Sequence, residues 1–261
     1  MTPESLNRIE IARRVSDAHL AIPTYRAGFI TGSAAEGIAD EVSDIDMGLF
    51  FETFPGRDDL VKVRESLDPN PPKWELGSYE DEEVLYSIRI DDIEVQYGIN
   101  TVAAGQGYAD KICRGEMGTS PEIKIAIGTL FCIAFHGEEL INGWREQFKH
   151  YPESYRVEAM KKFLKLRPLD DLIPKIVGRN AEIWIRRDLM ERVYQMCAAL
   201  GALNHIWFSE FQFKRSDSWC AKLTICPPDF GARCKSVATL ELERAIPIAL
   251  ELDQETRALV S

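Results

Sequence analysis

The feature that most constrains this chain is a pair of short apolar strands joined by a tight turn and a polar loop. Tyr25 to Thr31 reads as a strand that stops abruptly at Gly32-Ser33. After ten intervening residues, Asp44-Ile45-Asp46 leads into the apolar run Met47 to Phe51, a second buried strand. Strand side chains alternate faces, so Asp44 and Asp46 point one way while Ile45 points into a core. Two neighbouring carboxylates repel each other and are costly when partly buried. They are tolerated where a divalent cation compensates them, and magnesium prefers a few carboxylate oxygens completed by water and phosphate. Gly32 lets the backbone come close to a phosphate, and Ser33 offers a hydroxyl and an N–H. A helix starting at Ala34 would add exposed N–H groups that attract phosphate oxygens.

A third acidic residue completes the pattern. Val84 to Ile90 and Ile93 to Ile99 alternate apolar and polar residues around Asp91-Asp92, which predicts a β-hairpin. Glu94 sits between Ile93 and Val95 on the second of these strands. A neighbouring strand could bring it to Asp44 and Asp46, giving three carboxylates for a two-metal site. The acidic run Glu80 to Glu83 reads as a solvated loop.

The rest of the chain sorts into two parts. Residues 4–20 and 59–67 suit helices, and Asp68-Pro69-Asn70-Pro71-Pro72 marks a loop. Pro121 to Phe135 reads as an apolar helix, with His136 at a break before Gly137. Helical composition then dominates, at roughly 139–149, 153–166, 170–178, 180–209 and 237–251. The stretch 216–235, with Pro227-Pro228 and Gly231, reads as irregular. The fold class expected is an α/β (α+β) N-terminal domain with a mixed sheet over residues 1–135, followed by an α-helical domain over 136–261.

Composition narrows the function. The chain has 261 residues and a formal net charge of -11. Phosphate backbones are gripped mainly by clustered Lys and Arg, so nucleic acid is a poor partner and a small-molecule acceptor is the better expectation. Met1 to Ser5 lacks a basic segment followed by an apolar run, and no apolar stretch reaches the ~18–20 residues that span a bilayer. The expectation is a cytoplasmic protein without a membrane partner. None of the six cysteines forms a Cys-x-x-Cys pair, which disfavours structural zinc and suits reduced thiols, including the sequence-close Cys220, Cys226 and Cys234.

Gly-Ser, ten residues, Asp-x-Asp and a later acidic strand resemble the nucleotidyltransferase superfamily of DNA polymerase β. "TGSAAEGIADEVSDIDMGLFF" looks like the antibiotic nucleotidyltransferases that adenylylate aminoglycosides or lincosamides, and "IEVQYGI" is similar to the strand carrying their third carboxylate. "FHGEELINGWREQFKHYP" and "IRRDLMERVYQMCAALGALNHIWF" are similar to the helical domain of many bacterial members. The resemblance implies that Asp44, Asp46 and Glu94 bind Mg²⁺, as two ions, while Gly32 and Ser33 hold the triphosphate of ATP or another NTP. It implies in-line attack of a small-molecule hydroxyl on the α-phosphate, releasing pyrophosphate. Some relatives use a helical-domain carboxylate as general base, which makes Asp188 the candidate here. In some the cleft is completed by a second subunit, so a homodimer falls within the expectation.

One departure matters. Many relatives carry Arg or Lys in the loop after Gly-Ser, but Ala34 to Asp40 contains no base. Arg114, Arg187, Lys214 and Arg215 are the candidates to supply that charge. Two other functions fit the same motifs: a non-catalytic nucleotide sensor, and adenylylation of a protein partner as in toxin–antitoxin pairs.

Overall fold

A computed structural model describes residues 1–116 and 123–261. The chain divides into two compact units. The first is Met1–Asp110 with Gly128–Lys149, and the second is Lys111–Ile127 with His150–Ser261. The architecture is a mixed six-stranded sheet accompanied by many helices.

The sheet lies in the first unit. Its strands are β1 (Tyr25–Thr31), β2 (Ile45–Phe51), β3 (Trp74–Ser78), β4 (Glu83–Ile90), β5 (Ile93–Thr101) and β6 (Ile133–His136). The order is β3-β4-β5-β2-β1-β6, with β2 and β5 parallel and the other pairs antiparallel. Alternation decides the faces. Ile45, Met47, Leu49 and Phe51 of β2 and Val95, Tyr97 and Ile99 of β5 are buried on one side. Asp46, Glu94 and Gln96 are partly exposed on the other. Asp91 and Asp92 both take positive φ, 50° and 65°, as a two-residue hairpin turn requires.

Helix α1 (Pro3–Ala18) packs on the apolar side of the sheet. Thr2 caps it by accepting from the Ser5 N–H at 3.1 Å, and Pro3 opens it, where a missing N–H costs nothing. Leu6 on α1 and Leu20 just beyond it are exposed, while Ser5, Arg8 and Ser16 are buried beside Ile11, Ala12 and Val15. These polar residues are used: Ser16 and the Tyr25 hydroxyl share a 2.6 Å hydrogen bond, and Ser5 and Arg8 bond the loop described below. Two further helices in this unit are α2 (Gly32–Ala35), a single turn, and α3 (Arg57–Leu67).

Residues 102–136 were the least legible in sequence. Helix α4 (Val102–Cys113) follows β5 directly, and α5 (Lys124–Phe131) is followed by β6. Ile133 to Phe135 therefore belong to an edge strand paired with β1, not to the helix expected through Phe135. Pro121 and Glu122, the start of that expected helix, lie outside the described residues. His136 ends β6 and bonds Asp17 at 2.8 Å.

The remaining helices are α6 (Glu138–Lys149), α7 (Glu153–Lys165), α8 (Leu169–Leu172), α9 (Glu182–Leu203), α10 (Ser216–Cys220), α11 (Phe230–Thr239) and α12 (Leu242–Val260). The segment read as irregular thus contains α10 and the start of α11. The core of the second unit gathers around α9 and includes Leu189, Val193, Met196, Leu200, Trp219 and Leu252. Among the described residues, no helix is long and apolar enough to cross a membrane.

His19 is buried at the end of α1, its Nδ1 2.8 Å from the Val15 carbonyl and its ring against Tyr97 at 5.7 Å. Burial is the main cause that pushes its pKa down to about 4. The folded state therefore favours the neutral ring, and between pH 6.5 and 4 the unfolded chain binds the extra proton. We predict that stability falls by about 3 kcal/mol as pH drops from 7 to 4 through this group. In denaturant melts across that range, His19→Gln should lack that share of the slope.

Candidate functional site

The site is built by register. β1 and β2 are antiparallel with Thr31 opposite Asp46, so the Gly32-Ser33 turn begins beside the Asp-x-Asp motif. Gly32 has φ +68°, a left-handed conformation that side chains resist, and a Cβ there would lie 2.9 Å from Asp46 Oδ2. Glycine at this position thus permits both the turn and the close approach to the carboxylate. Gly32, Ser33, Asp44 and Asp46 are all partly exposed, while Ile45 is fully buried between the aspartates.

The loop from Glu36 to Ser43 is held in shape from behind. Arg8, only 3% exposed, donates from Nε to the Ser43 carbonyl at 2.7 Å and from Nη2 to the Glu41 carbonyl at 3.2 Å. Thr2 Oγ1 donates to the Ala39 carbonyl at 2.8 Å, and Ser5 Oγ accepts from the Ala39 N–H at 3.0 Å. Ser43 Oγ bonds Asp40 at 2.7 Å. A buried guanidinium needs its donors satisfied, and here backbone carbonyls satisfy them, one of them belonging to the residue just before Asp44. Neither contact was legible in sequence, because more than thirty residues separate the partners.

β5 runs parallel to β2 with Val95 opposite Ile45 and Gln96 opposite Asp46. Glu94 therefore falls on the same face as the aspartates. Its carboxylate is already engaged. Ser87 Oγ donates to Oε1 at 2.8 Å, Gln96 Nε2 donates to Oε1 at 3.1 Å, and Lys73 Nζ donates to Oε2. Gln96 Nε2 also reaches Asp44 Oδ2 at 3.3 Å, tying the two acids to one amide. The Lys73 hydrogen bond is the main cause that holds the Glu94 pKa below the usual carboxylate range. Among the described residues, no group of three or more His, Cys, Asp or Glu side chains is arranged to hold a metal ion. The donor set thus divides. Asp44 and Asp46, hard oxygen donors on one partly exposed face beside a glycine turn, suit a magnesium ion that keeps water or phosphate ligands. Glu94, as held by Lys73, stands next to that pair with its charge already balanced.

Asp188 lies in the second unit, on α9. Burial is the main cause that pushes its pKa up. Its Oδ2 is buried without a hydrogen-bond partner and lies 3.6 Å from Arg192 Nε. Arg192 is itself buried and is shared with Asp253, at 3.4 Å, which in turn accepts from Arg257 at 2.8 Å. On the same helix Gln195 is 1% exposed and donates to Glu191. The four cations considered for the phosphates, Arg114, Arg187, Lys214 and Arg215, all belong to the second unit. Arg114 pairs with Glu116, and Lys214 stands over the Phe211 ring.

Among solved structures, the chain is similar to a nucleotidyltransferase-like protein from Exiguobacterium sibiricum. The TM-score is 0.48 and the identity 10%, over 95% of this chain and 74% of that one. No family model matches the chain, and no curated protein matches it.

Arg8→Met should leave the Ser43 and Glu41 carbonyls without their donor. We predict faster amide hydrogen exchange across residues 36–44 with the β4–β5 hairpin unchanged. Equal protection of the loop in variant and wild type would contradict the role given to Arg8.

Proposed function

We propose that the chain is a magnesium-dependent nucleotidyltransferase that moves a nucleoside monophosphate, AMP from ATP, onto a hydroxyl of a small molecule and releases pyrophosphate. The observation that supports this most is the register that sets the Gly32-Ser33 turn against Asp46, with the turn backbone close to the carboxylate. Nothing about a structural turn requires two acids to share that face.

In this reading Asp44 and Asp46 hold the metal, with Glu94 as the third carboxylate of the set. Bound magnesium would stabilise charge on the attacking and leaving oxygens of the phosphoryl group. The chain's own residues do the positioning. Gly32 leaves room for phosphate oxygens, and Ser33 supplies a hydroxyl and an N–H to them. Arg8 and Thr2 keep the loop from moving as charge builds up, so the donors need little reorganisation. Asp188 takes the proton of the acceptor hydroxyl; burial raises its basicity toward the range such a base needs. Acceptor screening begins with aminoglycosides and lincosamides.

A second reading, a nucleotide sensor without catalysis, is favoured by one feature: Glu94 carries an internal ammonium partner instead of standing open to a metal. Titration calorimetry of ATP and GTP with and without Mg²⁺ tests both, followed by turnover assays. The enzyme reading predicts Mg²⁺-dependent binding that Asp46→Ala abolishes. It also predicts that Asp188→Asn binds nucleotide normally while turnover falls by about 10²-fold or more. Asp46-dependent binding with no pyrophosphate released from any acceptor would favour the sensor. Binding that ignores both Mg²⁺ and Asp46 would overturn both readings.

A further inference from the structure

Lys73 stands where the carboxylate face of the sheet meets solvent. Its backbone N–H donates to the Ser87 carbonyl at 2.7 Å, which fixes the root of the side chain just ahead of β3. Its ammonium donates to Glu94 Oε2. The Lys73 side chain is 62% exposed and that of Glu94 22%. An ion pair this exposed is weakly held, because water competes for both partners.

Glu94 is anchored independently of that pair. Its other oxygen accepts from Ser87 and Gln96, and Ser87 is fully buried. Releasing Lys73 would therefore free Oε2 without letting Glu94 leave the face it shares with Asp44 and Asp46. A divalent cation beside that pair carries twice the charge of the ammonium and, at like distance, attracts Oε2 more strongly. The same cation repels Lys73 electrostatically.

We propose that Lys73 is a displaceable internal counter-ion. It balances Glu94 while no metal is bound, yields Oε2 to an arriving divalent cation, and then pairs with the phosphates of the bound nucleotide. Lys73 is thus a positioning residue for the third carboxylate and a binding residue for the anionic substrate. The inference rests on the nucleotide-binding reading above. It gives the first unit a cation of its own beside its carboxylates.

The test is calorimetric titration of Mn²⁺ alone and of MgATP into wild type, Lys73→Met and Lys73→Arg. Lys73→Met should bind Mn²⁺ alone several-fold tighter, because the competitor is gone, and MgATP about tenfold weaker. Lys73→Arg should recover most of the nucleotide affinity. A merely structural ion pair would lower the melting temperature of Lys73→Met without tightening Mn²⁺ binding. An unchanged Mn²⁺ affinity or an unchanged MgATP affinity in Lys73→Met overturns the proposal. If wild type binds MgATP through Asp46 and Lys73→Met matches it, this inference alone fails. If wild type binds no nucleotide, the reading beneath it fails too.

Discussion

Asp44, the residue just before β2, and Asp46 within it are separated by a fully buried isoleucine, and that arrangement has to be compensated. Like charges this close raise the free energy of the folded state unless something positive or polar answers them. Individual neighbours are placed to answer them. Gln96 bonds Asp44, and Glu94 on the neighbouring strand carries Lys73. The Gly32 turn brings backbone close to Asp46, at a position where a side chain would collide with the carboxylate. α1 spends buried polar side chains, not only apolar ones, to hold the loop that joins the turn to the motif.

The second unit shows a different use of buried charge. Asp253, 1% exposed, accepts from Arg257 and from the Leu169 N–H and lies beside Arg192, which also neighbours Asp188. Removing one member of such a set leaves an uncompensated charge in the interior, which costs far more than the intact set contributes. Asp188 sits at the open end of this chain of ions, with one oxygen unsatisfied. Burial is the main cause of its raised pKa, against the lowering effect of Arg192 and Arg187 beside it.

What sequence could show follows from how local each signal is. β1, β2 and the β4–β5 hairpin were legible because alternation, the Gly-Ser stop and the Asp-Asp turn are encoded within a few residues. β6 was not, because Ile125 to Phe135 is one apolar run, and such a run does not separate a buried helix from a strand. β3 leaves little apolar alternation in the sequence: it pairs on one side only and Leu76 is exposed. α4 was hidden by its two glycines, and α11 by Pro227-Pro228 just before it and Gly231 in its first turn. At the site, the Gly-Ser turn and the two aspartates were legible as a pattern. The partners that organise them were not: Arg8 meets the loop from α1, and Lys73 lies in a stretch that proline content marks as a loop. Pairings between residues far apart in sequence leave no local periodicity to read.

In the proposed function, Asp44 and Asp46 form a cation site facing the Gly32-Ser33 turn. Crystals of wild-type protein grown with Mn²⁺ and a non-hydrolysable ATP analogue, with anomalous data, test it most directly. Such a site predicts a manganese peak within about 2–2.5 Å of both aspartate carboxylates, with analogue phosphates at Gly32 and Ser33. A manganese peak elsewhere, or nucleotide bound away from this turn with no metal at the aspartates, would contradict it.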